Sequence, residues 1–121
     1  MIRVFIVAGT LAACAPASAA TTQRLCGWIS NPTPANWWLT DKRGEWIVGA
    51  QGGHQAEGDL PDFAKGKRYW VKTQPNGYGY GCACLDAVVD EGTKEVSKIV
   101  TASVLPLNKC RADKALKEPT E

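Results

Sequence analysis

Cysteine, histidine and carboxylate side chains define the chemistry open to this chain, and the cysteines are the most informative. Cys82-Ala83-Cys84 is the densest group. A redox dithiol needs two residues between its sulfurs, and structural zinc sites use two to four. One intervening residue suits neither, and bridging Cys82 to Cys84 directly would strain an extended strand. Each sulfur is therefore expected to bond outward, with Cys26 and Cys110 as partners. The first pairing considered is Cys26–Cys82 with Cys84–Cys110; the crossed pairing is the alternative. His54 is the only histidine, in Gly53-His54-Gln55. One histidine makes no zinc site without carboxylates. With the cysteines oxidised, no Cys–His or Ser–His–Asp arrangement can be placed. Asp86 stands out as a carboxylate among apolar strand residues, either at a wet strand end or buried against a cation. No catalytic residue, metal or cofactor is expected.

Binding chemistry has stronger candidates. The chain has five tryptophans. Trp37 and Trp38 are adjacent, so on a strand they point to opposite faces. Most of the tryptophans are expected in the core, with at least one ring exposed as a platform for a sugar ring or a peptide. Pro32 and Pro34 stiffen the preceding segment before any ligand arrives. Gly49 to Asp62 reads as a long, Gly-rich loop, and such loops inside compact domains often carry function. The candidate binding surface is therefore Asn31, Asn36, Trp37 and Trp38 beside Gln51, His54 and Gln55.

Short strands must position these residues. The central one is Tyr78 to Asp90. Residues two apart share a face, so Tyr80, Cys82, Cys84 and Val88 lie together, with Asp86 among them. Gly81, Ala83, Leu85, Ala87 and Val89 form the other face. Both faces are largely apolar or sulfur-bearing, which predicts a strand covered on both sides. Arg24 to Ser30 reads as a first strand. Trp37 to Thr40 and Glu45 to Val48 make a hairpin about Asp41-Lys42-Arg43-Gly44. Lys67 to Thr73 is another strand, turned by Gln74-Pro75-Asn76-Gly77 into the central one. Glu95 to Val104 is its partner after the turn at Asp90 to Thr93. Asp113 to Lys117 is expected to form one helical turn. The fold class is all-β: a small, antiparallel, partly open barrel of OB-like or SH3-like form, stapled by disulfides, with a two-sheet sandwich as second choice.

The N-terminus reads as a targeting segment. Met1-Ile2-Arg3 is a basic start, and Val4 to Ala13 is apolar but too short to span a bilayer. Ala17-Ser18-Ala19 forms a small-residue cleavage site. Leu11-Ala12-Ala13-Cys14 resembles a lipobox, which would make Cys14 a lipid anchor. Simple cleavage is preferred because the lipobox lies close to the start. Either route leaves four cysteines, an even set suited to an oxidising compartment. The expected division is a signal peptide over 1–19, a flexible leader over 20–24, a single β domain over 25–116 and a tail over 117–121. The localisation is periplasmic or secreted, or lipoprotein-anchored through Cys14.

A formal net charge of +2 and a pI near 8.3 demand no polyanion, and no dense Lys/Arg cluster appears. Nucleic acid is therefore not an expected partner, and a membrane is one only if Cys14 is lipidated. Four stretches carry a resemblance: Asn31 to Asp41, Gln51-Gly52-Gly53, Tyr78 to Leu85, and Pro106-Leu107 through Cys110 to Asp113. Together they resemble a family of small exported bacterial proteins defined by a domain of unknown function. The resemblance implies a signal peptide and one small domain, and it transfers no activity. The expectation is a non-enzymatic binding or inhibitor module of the envelope, similar in build to periplasmic lysozyme inhibitors. Its partner would be an envelope protein or glycan. The alternatives are an envelope assembly factor and a small carboxylate-dependent hydrolase using His54.

Overall fold

The computed structural model describes residues 8–10 and 21–120. Most of the expected signal peptide, Cys14 included, lies outside them. Six strands form one sheet: β1 (Thr21–Asn31), β2 (Trp37–Asp41), β3 (Gly44–Gly49), β4 (Trp70–Lys72), β5 (Gly79–Asp90) and β6 (Glu95–Leu105). A short helix, α1 (Leu107–Ala112), follows. β1 begins at Thr21, so residues 21–24 belong to the sheet and not to a flexible leader.

Five strands close on themselves in the order β1-β2-β3-β6-β5, and β5 returns to β1. All contacts are antiparallel except β3 with β6, which meet in parallel at one pair, Ile47 and Glu95. Of the barrel types expected, this partly open ring matches the OB order. Closure is uneven. The β1–β5 ladder runs unbroken from Thr21 opposite Val89 to Asn31 opposite Gly79. The β3–β6 seam is almost unpaired, and the segment after β3 fills it. Ala56 N–H donates to the Val48 carbonyl at 2.9 Å, Glu57 N–H to Ser97 at 2.9 Å, and Ile99 N–H to Glu57 at 2.7 Å. Much of the stretch read as a functional loop is therefore a closing strip. Its backbone groups need partners once the seam is buried, and the two flanking strands supply them.

β4 is shorter than the expected Lys67 to Thr73 strand. Gly66, at φ 106°, turns the chain, and Tyr69 N–H donates back to the Gly66 carbonyl at 3.1 Å. β4 then pairs with Gly79 to Gly81 of β5, where β6 has already ended.

The alternation read in β5 holds. Ala83, Leu85, Ala87 and Val89 point into the barrel with Leu25, Ile29, Leu39, Trp46, Val48, Val96 and Ile99. Tyr80 and Cys82 point outward into a second cluster with Trp28, Leu107 and Cys110. α1 builds that outer layer. The helix forms because Leu107 and Cys110, three residues apart, share one buried face; the turn expected at Asp113 to Lys117 follows it as a single turn, Leu116 N–H donating to the Asp113 carbonyl at 3.1 Å. Pro106 precedes the first turn, where its missing N–H costs nothing.

The disulfides are Cys26–Cys84 and Cys82–Cys110. This is the crossed pairing, not the one considered first, and strand register explains it. Cys26 stands opposite Cys84 in the β1–β5 ladder, while Cys82 stands opposite Trp28. Cys82 is thus left for α1.

Candidate functional site

The predicted binding residues do come together, but largely to hold each other. Asn31 ends β1, and its amide donates to the carbonyls of Thr33 at 2.9 Å and Asn36 at 2.8 Å. Asn36 Oδ1 accepts from Gln51 N–H at 2.8 Å. Gln55 Nε2 donates to the carbonyls of Ala35 at 3.2 Å and Ala50 at 3.0 Å. Ala35 adopts φ 60°, a conformation that costs a residue with a Cβ about 1–3 kcal/mol. These amides therefore join the β1–β2 loop to the segment after β3.

His54 is also engaged. Its Nε2 lies 2.7 Å from the Val96 carbonyl, which can only accept, so Nε2 carries the proton. Nδ1 lies 3.5 Å from Glu95 Oε2, an ion pair when the ring is protonated. Asp86 sits at the wet surface and is paired: Arg24 lies 3.1 Å away and Thr101 Oγ1 donates at 2.6 Å. The Thr101 hydrogen bond, then Arg24, holds its carboxyl below the usual carboxylate range.

No tryptophan is exposed among the described residues, which corrects the expectation of an exposed ring. Trp28 and Trp46 are buried, and Trp37, Trp38 and Trp70 are half-buried. Trp37 packs beside Trp70, and Trp38 lies against the C-terminal residues. Trp38 lines a cavity of about 380 Å³ with Ser30, Thr40 and the residues from Lys117 to Thr120.

Trp37 takes part in a different arrangement. Its ring centroid lies 6.3 Å from that of Trp70, and Trp70 lies 4.7 Å from Phe63. A register shift in the β2–β3 ladder falls between Trp37 and Trp38. Such irregularities re-aim side chains at strand ends. Trp70 is fixed by its own indole, whose Nε1–H donates to the Gly77 carbonyl at 2.8 Å. Phe63 has room because residue 81 is glycine. A Cβ there would stand 2.6 Å from the Phe63 ring and 2.6 Å from the Tyr69 carbonyl.

Phe63 and Trp70 form a ridge shared by two cavities, and Trp37 extends it along one of them. One, about 300 Å³, is lined by Asn31, Trp37, Pro61, Phe63 and Trp70. The other, about 650 Å³, is lined by Phe63, Trp70, Val71 and Leu107 with Lys67, Lys72 and Arg111. Among the described residues, no carboxylate lines the larger one. Arg111 is committed to Glu118, whereas Lys67 and Lys72 make no ion pair among the described residues. The result is an aromatic cleft with a cationic rim, chemically suited to a ring or apolar chain bearing negative charge. Among the described residues, no three His, Cys, Asp or Glu side chains are grouped to hold a metal.

From the sequence no binding role is expected for Phe63, Trp70 or Val71, and Leu107 enters only within the Pro106-Leu107 motif. One signal was available: Phe63 is the only phenylalanine after the apolar N-terminal segment, and it follows Pro61 in a Gly-rich stretch.

The family model described as "Protein of unknown function (DUF4087)" matches residues 20–117. The chain belongs to this family. No curated protein and no solved structure matches it. In this DUF4087 member the motif stretches have separate structural duties. Asn31 to Asp41 supplies the β1–β2 loop and β2, whereas Tyr78 to Leu85 supplies the strand that carries two of the disulfide cysteines. The two disulfides point to an oxidising, extracytoplasmic environment for this DUF4087 domain. Among the described residues, no helix is long and apolar enough to cross a membrane.

Proposed function

We propose that the protein is a non-catalytic binding module of the bacterial envelope, and that its ligand seats on Trp37, Phe63 and Trp70. The observation that carries this reading is the ridge of three half-buried rings, two of them shared by two cavities, with Lys67 and Lys72 on the rim. Half-buried aromatics held by their neighbours lose little freedom on binding, and such anchors dominate binding energy. The partner is an envelope protein or glycan that presents a ring or apolar group beside an acid. The oxidised cysteines and the engagement of His54 Nε2 by the Val96 carbonyl favour binding over hydrolysis. A periplasmic or secreted location follows from cleavage after Ala19; lipidation at Cys14 would instead tether the same module to a membrane.

Of the two adjacent tryptophans, Trp37 is the one that meets the ligand, because Trp38 lines a separate cavity with the C-terminal residues. The test immobilises the mature domain and passes envelope protein extract and soluble cell-wall glycan fragments over it. Wild type and Trp38→Ala retain the same species, and Trp70→Ala loses it. Retention by Trp70→Ala at the wild-type level overturns the cleft assignment.

A further inference from the structure

β6 has two edges with different fates. One pairs with β5 along the whole strand, from Cys82 opposite Leu105 to Asp90 opposite Glu95. The other meets β3 only at Glu95 and meets the closing strip only as far as Ile99. At Gly58, φ 92°, the strip turns away; any Cβ there would run into the Ile99 carbonyl. From Val100 to Val104 this edge has no backbone partner among the described residues. In an antiparallel ladder alternate residues direct both N–H and C=O to opposite sides. Half of the groups on this stretch therefore face outward.

The space left by the departing strip is a groove of about 430 Å³ between residues 58–62 and 99–102 of β6. Among the described residues, the two large apolar side chains that are exposed are Leu60 at 41% and Val100 at 53%, and both line it. Val100 is the extra residue of a bulge, since Ala87 pairs with Ile99 and Asp86 with Thr101. The sequence Ile99-Val100-Thr101-Ala102-Ser103-Val104-Leu105 has no charge and no proline. It is rich in β-branched residues, the composition that pairs readily with another strand. Natural proteins defend such an edge with lysine, proline, a bulge or a cover. Here the bulge guards only its start. Among the described residues, the groove walls carry Asp59 and Asp62 and no lysine or arginine.

We propose that this edge receives an extended, basic segment of a partner polypeptide, which adds to the sheet as a further strand beside β6. Backbone pairing over Thr101 to Val104 provides the affinity. Alternate apolar side chains settle on Leu60 and Val100, and lysine or arginine at the flanks meets Asp59 and Asp62. The charge argument separates this surface from the aromatic cleft, whose rim is cationic. The two sites select different ligands.

The probe is a synthetic peptide of alternating valine and threonine with a lysine at each end, added to the mature protein. Binding is followed by fluorescence anisotropy and by amide hydrogen exchange. The peptide slows exchange of edge-facing amides between Thr101 and Val104. The same peptide with glutamate ends binds about tenfold or more weakly, and Asp59→Asn with Asp62→Asn removes that preference. Val100→Lys, at an exposed position, blocks the basic peptide, whereas Trp70→Ala leaves it unaffected. Equal binding of the lysine- and glutamate-ended peptides overturns the charge assignment, and unchanged exchange at the edge overturns strand addition. A protein that sediments as a dimer, and as a monomer after Val100→Lys, assigns the edge to a second copy and overturns the proposal.

Discussion

The Tyr80 hydroxyl donates to Glu118 Oε2 at 2.6 Å, joining the central strand to the C-terminal residues. Arg111 takes the same carboxylate, with Nε 2.7 Å from Oε1. This clasp closes over the outer cluster, where Tyr80 meets Trp28 edge to face at 5.4 Å. Glu118, expected in the tail over 117–121, is held against the outer layer by Tyr80 and Arg111. Burial first, then the Glu118 hydrogen bond, pushes the Tyr80 hydroxyl up to about 12. The hydrogen bond from Arg111, then that from Tyr80, holds Glu118 below the usual carboxylate range.

The clasp predicts a local pH window. Glu118 is depressed in the folded state, so its contribution is complete above its ordinary value of 4.5 and is lost as pH falls. Tyr80 is raised, so its contribution is complete below 10.0 and is lost as pH rises toward about 12. The protection of amides in α1 and the residues after it, with the intrinsic pH dependence of exchange divided out, should therefore be greatest between these limits. Glu118→Gln should flatten the acid limb and Tyr80→Phe the alkaline limb. An acid limb unchanged by Glu118→Gln would show that another carboxylate controls the segment.

The disulfide register predicts distinct outcomes for two neighbouring cysteines. Peptide mapping of the mature protein without reduction should recover Cys26 with Cys84 and Cys82 with Cys110, and no free thiol. Cys84→Ala and Cys82→Ala should each destabilise the domain by about 2–5 kcal/mol. Only Cys82→Ala should greatly speed amide exchange in α1. Equal exchange in both variants would mean that α1 does not depend on its bridge to β5.

Gly81 predicts a coupling between core and cleft. Gly81→Ala drives a methyl against the Phe63 ring and the Tyr69 carbonyl. The expected loss is about 1–3 kcal/mol, typical of overpacking. The shift should also move the Trp70 indole signal, because Phe63 and Trp70 are in contact. A melting temperature equal to wild type would show that Phe63 is free to yield.

The sequence makes the strands of this fold legible because β5 alternates cleanly and its turns carry Asn-Gly and Asp-Glu-Gly signals. It does not reveal which sulfur meets which. Cys82 and Cys84 share a face, and only the β1 register distinguishes them. The amides of Asn31, Asn36 and Gln55 look like ligand-binding groups in sequence because their backbone partners lie in loops whose paths are set by tertiary contacts. The Trp70–Phe63 contact is illegible for a similar reason: it needs a turn at Gly66 and an absent Cβ at residue 81. Trp37 and Trp38 do part to different surroundings, as adjacent strand residues must. Neither stands exposed, because Trp70 and the C-terminal residues pack beside them.

The central claim is that ligand meets the Trp37–Trp70–Phe63 ridge. The five indole N–H groups report on it directly in a two-dimensional ¹⁵N NMR spectrum of the mature domain, recorded with and without the envelope species that it retains. Trp28 and Trp46 are buried and serve as internal controls. The account predicts that the Trp70 and Trp37 signals move on binding while those of Trp28 and Trp46 stay in place. Binding that moves only the Trp38 signal, or none of the five, would contradict it.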